Sequence, residues 1–339
     1  MRAVVLAGGL GTRLRPLTST IPKQLLPVAG VPMIERVLFH LAEHGVEHAV
    51  MSMGHLPDSF LDAYPDRRIA GVSVSFAIEP SPLGTGGALR FAGIDAGMDE
   101  TFLAINGDVL TDLDITDLVV RHRASGAEGT IALSPVDDPS AFGVVVTDTD
   151  GRVTDFVEKP APGTAPSHDI NAGTYVLEPA FFDRVRPDAA VSIEREVFPQ
   201  MVADGVLGAV VDTSYWLDAG TPSSYLRANT DVLDGVRVLG HPGELRAGVL
   251  RLANCTVSAS ATVERSVLAR DVTVRGAARV EGSVILEGAT IGEGASVLDS
   301  VVGPRAFVGD GATLARNCLV AEDAAVPQGA RLERSVVSS

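Results

Sequence analysis

Cysteine is scarce: the 339-residue chain has two, Cys255 and Cys318. No disulfide framework can therefore carry the fold. Long apolar runs are missing as well. Stretches such as Ala3 to Ala7 or Ile131 to Leu133 fall far short of the roughly 18–20 residues a membrane span needs. Met1 leads directly into a short strand and then glycines, so no secretory leader, no membrane partner and a cytoplasmic setting are expected. Positive charge is in deficit, with 27 Lys and Arg against 43 Asp and Glu, a formal net charge of −16. That balance excludes bulk electrostatic binding of nucleic acid or an anionic membrane surface. An anionic substrate has to be held by cations placed locally.

Apolar residues make up 46% of the chain, enough for two cores at this length. The first part alternates strands and helices. Arg2 to Ala7 is a short apolar run; Pro32 can open a helix in which Ile34, Val37, Leu38 and Leu41 recur at helical spacing, and Gly45 suits its stop. Val46 to Met51 and Thr101 to Ile105 suggest further strands. Val72, Val74, Phe76 and Ile78 alternate as in a strand with one buried face. The expectation is an α/β domain over 1–235, Rossmann-like with a mainly parallel sheet, whose ligands sit beyond the carboxyl ends of the strands.

A linker is expected over 236–249, and from 250 to 339 the texture changes. Helical periodicity is absent and a period of six appears: Val302, Val308, Leu314, Val320, Val326 and Leu332. Small residues stand two positions earlier, at Ala306, Ala312, Cys318, Ala324 and Ala330. The pattern continues upstream with slips, through Val257 and Val263, then Leu268, Val274, Val280 and Leu286, then Ile291 and Val297. It resembles the hexapeptide repeat of left-handed parallel β-helices, in which one apolar side chain fills the prism at each face and a small one fits beside the corner. Cys255 and Cys318 both fall in the small column and are expected to be buried packing groups.

After the first strand comes Leu6-Ala7-Gly8-Gly9-Leu10-Gly11-Thr12-Arg13, followed by Pro22-Lys23-Gln24-Leu25-Leu26-Pro27. Glycines let a backbone approach a triphosphate, and Arg13 and Lys23 can neutralise charge that builds during phosphoryl chemistry. A dinucleotide fold would place a third glycine where Leu14 stands. A P-loop needs Gly-Lys before Ser or Thr, and no Gly-Lys pair occurs. A plain strand-to-helix turn would not need those glycines, Arg13 and Lys23 together.

This string resembles the signature of the sugar nucleotidylyltransferases, and further phrases follow in the family's order. Pro82-Leu83-Gly84-Thr85-Gly86-Gly87, with Glu79 before it, is similar to the segment that contacts the base. Asn106-Gly107-Asp108 matches the strand end whose Asp holds Mg²⁺. Phe142-Gly143-Val144-Val145, Val157-Glu158-Lys159-Pro160 and Ile170-Asn171-Ala172-Gly173 resemble the sugar-phosphate pocket. Tyr215-Trp216-Leu217-Asp218-Ala219-Gly220 is similar to the segment supplying a second metal-binding Asp. The resemblance implies nucleotide binding by Leu6, Ala7, Gly8, Gly9, Gly11, Thr12, Arg13, Glu79, Gly84 and Thr85. It also implies sugar-phosphate binding by Gly143, Glu158, Lys159 and Asn171, and Mg²⁺ ligation by Asp108 and Asp218. Arg13 and Lys23 are the implied catalytic residues. The reaction implied is attack by a sugar phosphate on the α-phosphorus of a nucleoside triphosphate.

Base and sugar draw on two sets of phrases. Ile170 to Leu177, Ser192-Ile193-Glu194-Arg195-Glu196-Val197-Phe198-Pro199, Tyr215-Trp216 and the appended repeats resemble the GDP-mannose pyrophosphorylases. Lys23-Gln24-Leu25-Leu26-Pro27 is similar to glucose-1-phosphate thymidylyltransferases. GTP and mannose 1-phosphate are the preferred pair, and a thymidylyl- or uridylyltransferase is the alternative. A non-catalytic regulatory paralogue would have lost Arg13, Lys23, Asp108 or Asp218, and all four are present. Acyl transfer by the repeats would call for a histidine base. The C-terminal part has only His241, ahead of the repeats, so the β-helix is expected to be structural, an assembly surface of a homo-oligomer. His40, His44 and His48 are expected at a solvated helix end rather than on a metal.

Overall fold

The computed structural model describes residues 1–187 and 189–338. Ser339, the last residue of the expected β-helix, lies outside the described residues. The chain folds as two compact units, one of Met1–Gly9 with Ile34–Trp216, the other of Leu10–Met33 with the chain from Leu217 onward.

In the first unit, β1 (Arg2–Leu6), β2 (His48–Met53), β3 (Val72–Ile78) and β4 (Phe102–Asn106) form a parallel set in the order β4-β1-β2-β3. Their residues read as Val, Ala, Leu and Ile runs because both faces of these strands are covered. α1 (Met33–Glu43) and α2 (Gly84–Asp95) are among the connections. The helix stops where expected, with Gly45 at φ 77°.

Beyond β4 the sheet turns antiparallel. β5 (Gly129–Pro135), β6 (Gly143–Thr147), β7 (Val153–Glu158), β8 (Asp169–Leu177) and β9 (Leu207–Val211) complete it, with α3 (Ile115–Ser125) ahead of β5. β8 runs antiparallel to β4, β5 and β6. The sheet is thus Rossmann-like in its parallel half and mixed as a whole. One long strand, nine residues, pairs along different parts of its length with three neighbours. The core between sheet and helices is apolar and close-packed: the Phe102 and Phe182 rings stack at 5.1 Å, and a methyl group on Gly93 would come within 2.3 Å of the Phe182 ring.

His40 and His44 are not simply solvated. His40 Nε2 meets the Leu113 carbonyl at 2.9 Å and His44 Nδ1 the Thr116 hydroxyl at 2.8 Å, so the end of α1 is fastened to the start of α3. His48 sits instead between Ser73 and Ser75 on β3. Burial, and after it the Arg2 charge, hold its imidazole below the ordinary value. Among the described residues no group of three or more His, Cys, Asp or Glu side chains could hold a metal.

The second unit contains α4 (Pro222–Leu233) and the coils of a parallel β-helix, in line with the hexapeptide pattern. α4 opens with a capping box: the Thr221 hydroxyl accepts from Ser224 N, and Ser224 Oγ accepts from Thr221 N. The β-helix begins inside the expected linker, where 244–246 pairs antiparallel with 249–251. Inward columns such as Val257, Val274, Ile291, Val308 and Val326 then stack coil on coil. The slips in the sixfold pattern have a physical cause at one corner. Ser266, Ser283 and Ser300 are buried there. The hydroxyls of Ser266 and Ser283 accept the backbone N–H of Ser283 and Ser300, 17 residues on. Ser300 Oγ accepts from Cys318 N, 18 residues on, across a corner widened by the left-handed pair Arg316 and Asn317. The shorter corner also moves one expected inward position. Ile285, not Leu286, is in register with Leu268 and Val302, although Leu286 is buried beside it.

Cys318 takes the serine's place in this column and is fully buried, as expected. Cys255 is only half-buried, because it belongs to the first coil and lacks a preceding coil to cover it. Its thiol points at the Ala269 carbonyl, 3.0 Å away, and burial pushes its pKa up.

Ser283→Ala leaves the buried Ser300 N–H without its acceptor and should destabilise the protein by about 1–3 kcal/mol in urea unfolding. Cys318→Ser restores the corner's usual residue and should cost less than about 1 kcal/mol. Equal stability of Ser283→Ala and the wild type would show that the column contributes nothing.

Candidate active site

In the first unit the glycine turn begins as β1 ends. Ala7 N donates to the Ser52 carbonyl and Gly107 N to the Leu6 carbonyl, so the exits of β1, β2 and β4 are joined through backbone. A methyl group on Gly8 would lie 2.8 Å from Glu79 Oε1 and 3.1 Å from Gly54 N. Gly8 is therefore required by close approach. The Glu79 carboxylate accepts from Ser52 Oγ at 3.0 Å and from Leu83 N at 3.1 Å. It organises the turn into α2 by holding Ser52 of β2 and the Leu83 N–H at once.

The glycines of Gly84-Thr85-Gly86-Gly87 serve a crossing of backbones. Gly84 sits at φ 69°, and a methyl group there would be 2.6 Å from the Val191 carbonyl. Gly86 N and Gly87 N donate to that same carbonyl. Thr85 Oγ1 donates to Glu194 Oε2 at 2.8 Å and accepts from Ile193 N. Ser192 Oγ shares the Glu194 oxygen. The hydroxyl of Thr85 is thus engaged within the protein.

Asp108 follows β4 as Asn106-Gly107-Asp108 and is 8% exposed. Gly143 on β6 faces Glu158 on β7 in register, and a methyl group on it would meet Phe156 at 2.7 Å and Glu158 Oε2 at 3.0 Å. The Lys159 ammonium lies 3.3 Å from Glu158 Oε1. Lys159 adopts φ 52° while its N–H donates to the Phe142 carbonyl. On β8, Asn171 Nδ2 donates to Tyr175 Oη and Asn171 Oδ1 accepts from Gly173 N, across an irregularity in the strand's register. Burial, then the charge of Glu194, keep the Tyr175 phenol protonated far above its usual range; the Asn171 bond pulls the other way. Trp216 Nε1 donates to the Ala172 carbonyl, and its ring meets Phe142 edge-on at 5.4 Å. The structure thus brings Gly8 to Glu79, and Gly143 to Glu158 and Lys159.

In the second unit Gly11 is left-handed, at φ 59°, and the buried Thr18 hydroxyl donates to its carbonyl at 2.7 Å, closing the loop. Thr12 and Arg13 project from a short 3₁₀ turn, and Lys23 begins another. Arg13 Nη2 is 3.5 Å from Asp218 Oδ2, the two side chains being 58% and 25% exposed. An ion pair that open contributes at most about 1 kcal/mol, so its partners can be exchanged for a ligand at little cost. Asp218 Oδ1 accepts from Gly220 N at 2.7 Å, which orients the carboxylate. The loop's far end is pinned by Tyr225 Oη on the Pro27 carbonyl and by Ala29 N on Asn229 Oδ1.

Glu194, Tyr175 and the Phe142–Trp216 pair were not singled out by residue chemistry. They occur within phrases that sequence resemblance marked, yet nothing in a lone Glu, Tyr or Trp shows which hydroxyl or ring it will meet.

A model of the nucleotidyl transferase family matches residues 2–235, and one of the GMPPB C-terminal domain matches 246–339. The chain is 41% identical over 249 residues to a mannose-1-phosphate guanylyltransferase of Mycobacterium tuberculosis, covering 71% of this chain and 68% of that one. It is 37% identical over 272 residues to a mannose-1-phosphate guanyltransferase of Schizosaccharomyces pombe, covering 78% and 74%. Among solved structures, HddC from Yersinia pseudotuberculosis complexed with GMP-PN aligns with a TM-score of 0.58 at 32% identity, over 67% of this chain and 97% of that one. On the match over residues 2–235, this chain belongs to the nucleotidyl transferase family.

Proposed function

We propose that the chain joins GTP to mannose 1-phosphate, forming GDP-mannose and releasing pyrophosphate. The observation that carries the chemistry is Arg13 beside the Asp218 carboxylate, on a glycine-turned loop that also bears Lys23. Such a set binds and neutralises phosphate without offering a protein nucleophile. The names of the relatives at 41% and 37% identity support the choice of GTP and mannose.

A phosphate oxygen of the sugar phosphate attacks the α-phosphorus, the bond from the α-phosphorus to the bridging oxygen breaks, and pyrophosphate leaves. Arg13 and Lys23 neutralise the triphosphate and the leaving pyrophosphate. Backbone from Leu6 to Thr12 lines the phosphates, with Gly8 and Gly9 keeping side chains out of the way. Glu79 and the Gly84-Thr85 turn hold the wall on which the base rests. Lys159 holds the sugar phosphate, and Glu158, Asn171 and the Gly143 backbone meet the sugar hydroxyls. Positioning supplies most of the rate. Asp108 and Asp218 are the proposed ligands of a divalent cation, a hard ion to which carboxylate oxygens are suited. Mg²⁺ held by them would screen phosphate charge when bound.

The β-helix is proposed to assemble a homo-oligomer. Because Leu10–Met33 folds in the same unit as the β-helix, the mass of the intact chain in solution is a cleaner test than truncation, and a monomer would refute assembly.

Pyrophosphate release across a grid of nucleoside triphosphates and sugar 1-phosphates should be fastest with GTP and mannose 1-phosphate. Faster turnover of dTTP with glucose 1-phosphate would overturn the substrate pair alone, and silence across the grid would overturn the enzyme. Arg13→Ala should lower kcat by about 10²–10³-fold while changing unfolding free energy by less than about 1 kcal/mol. A variant within threefold of wild type would remove Arg13 from the reaction. Asp218→Asn should keep the fold and lose most activity, and full activity would remove Asp218 from the cation site.

A further inference from the structure

The β-helix reaches the loop that bears Arg13 and Lys23 through Thr20. Thr20 Oγ1 donates to Glu322 Oε2 at 2.6 Å, across 302 residues of chain. The other oxygen of Glu322 is taken by Arg305, which also holds Asp323. The Glu322 side chain is 23% exposed, whereas Arg305 and Asp323 are 57% and 59% exposed. Glu322 is thus the sheltered member of the cluster and the one turned to the loop. A short hydrogen bond from a hydroxyl to an ionised carboxylate is among the stronger kinds.

Its place along the loop matters. Gly11 and Thr18 close the first half internally, and α4 pins Pro27 and Ala29. The stretch between contains exposed Ser19 and Thr20, then Ile21 and Pro22, then Lys23. Thr20 is anchored in that gap. Pro22, with φ −54°, stiffens the step to Lys23. Leu14 and Leu17 before Thr20 and Gln24 and Leu26 after it are buried, so displacement at Thr20 is passed along a short, well-packed loop on both sides.

We propose that Glu322 is a positioning residue for nucleotidyl transfer: through Thr20 it holds the loop of Arg13 and Lys23 in the conformation that receives the triphosphate, with Arg305 orienting Glu322. This rests on the triphosphate role given above to Arg13 and Lys23. A pre-ordered loop binds its ligand without first losing freedom, and if only a fraction of molecules holds the loop correctly, apparent affinity falls by that fraction. The cost of losing the tether therefore falls on KM for the triphosphate more than on kcat.

The test uses the full-length protein with Thr20→Val, Glu322→Ala, the double variant and the conservative Thr20→Ser. Each of the first two should raise KM for GTP by about threefold to tenfold, leave kcat within about twofold and leave KM for mannose 1-phosphate unchanged. The double variant should be no worse than the worse single one, because both break one bond, and Thr20→Ser should behave like wild type. Hydrogen exchange of the amides between residues 10 and 25, in protein without ligand, should speed up in the first three. Unchanged exchange in Thr20→Val, or single-variant effects that multiply in the double, would overturn the inference even where Glu322→Ala unfolds. Exchange is read without turnover, so a wild type inactive on the whole substrate grid would refute the enzyme and still leave the tether decided.

Discussion

Where parallel strands end, backbone groups must find partners in a space too tight for side chains, and the first unit is arranged around that constraint at Gly8. The turn leaves β1 against Gly54 and the Glu79 carboxylate, at distances that leave no room for a methyl group. Glu79 in turn holds Ser52 and the N–H of Leu83, which sets where α2 begins. From there Gly84, Gly86 and Gly87 admit the Val191 carbonyl, and Thr85 and Ser192 converge on Glu194. A chain of close approaches leads from the first strand to the segment that faces Tyr175. Glycine at these places serves close packing of backbone.

The second unit solves a different problem. A β-helix coil cannot bury its own apolar face, so its stability comes from stacking. The inward Val, Leu and Ile columns provide the apolar part. The serine corner provides the polar part, each hydroxyl taking an N–H from the next coil. Cys318 enters that column as a small buried group, which explains its burial without redox chemistry. The same unit includes Leu10–Met33, so the cationic loop shares its packing with α4 and the coils. An ion pair as open as Arg13 and Asp218 adds little to stability; its value is that both groups are held ready by other contacts, Gly220 N on Asp218 and the Thr18–Gly11 closure behind Arg13.

The proposed site residues separate along these lines. Arg13 and Lys23, proposed for the triphosphate, stand on short 3₁₀ turns, while Glu158 and Asn171, proposed for the sugar, stand on the antiparallel strands β7 and β8, with Lys159 in the left-handed step just past the end of β7. β8 passes three neighbours, and its irregularity between Asn171 and Tyr175 turns side chains that a regular strand would place elsewhere.

Sequence alone determined the α/β alternation, the hexapeptide coils, the glycine turn with Arg13 and Lys23, and the order of the family phrases. Periodicity reports which face of an element is buried, and a turn's residue types report its backbone, so these are local facts. It misplaced what depends on contact between distant segments. Ile285 rather than Leu286 lies in the inward column because a serine corner shortens the coil, and Cys255 is half-uncovered because its coil is the first. β8 lies antiparallel because of what it pairs with, which no pattern within 169–177 records. Only the tertiary structure decided that Glu79 and Thr85 are engaged within the protein, that His40 and His44 fasten two helices, and that Thr20 reaches Glu322 across 302 residues. Such hydrogen bonds are chosen by geometry, and geometry is set only once both partners have been brought together.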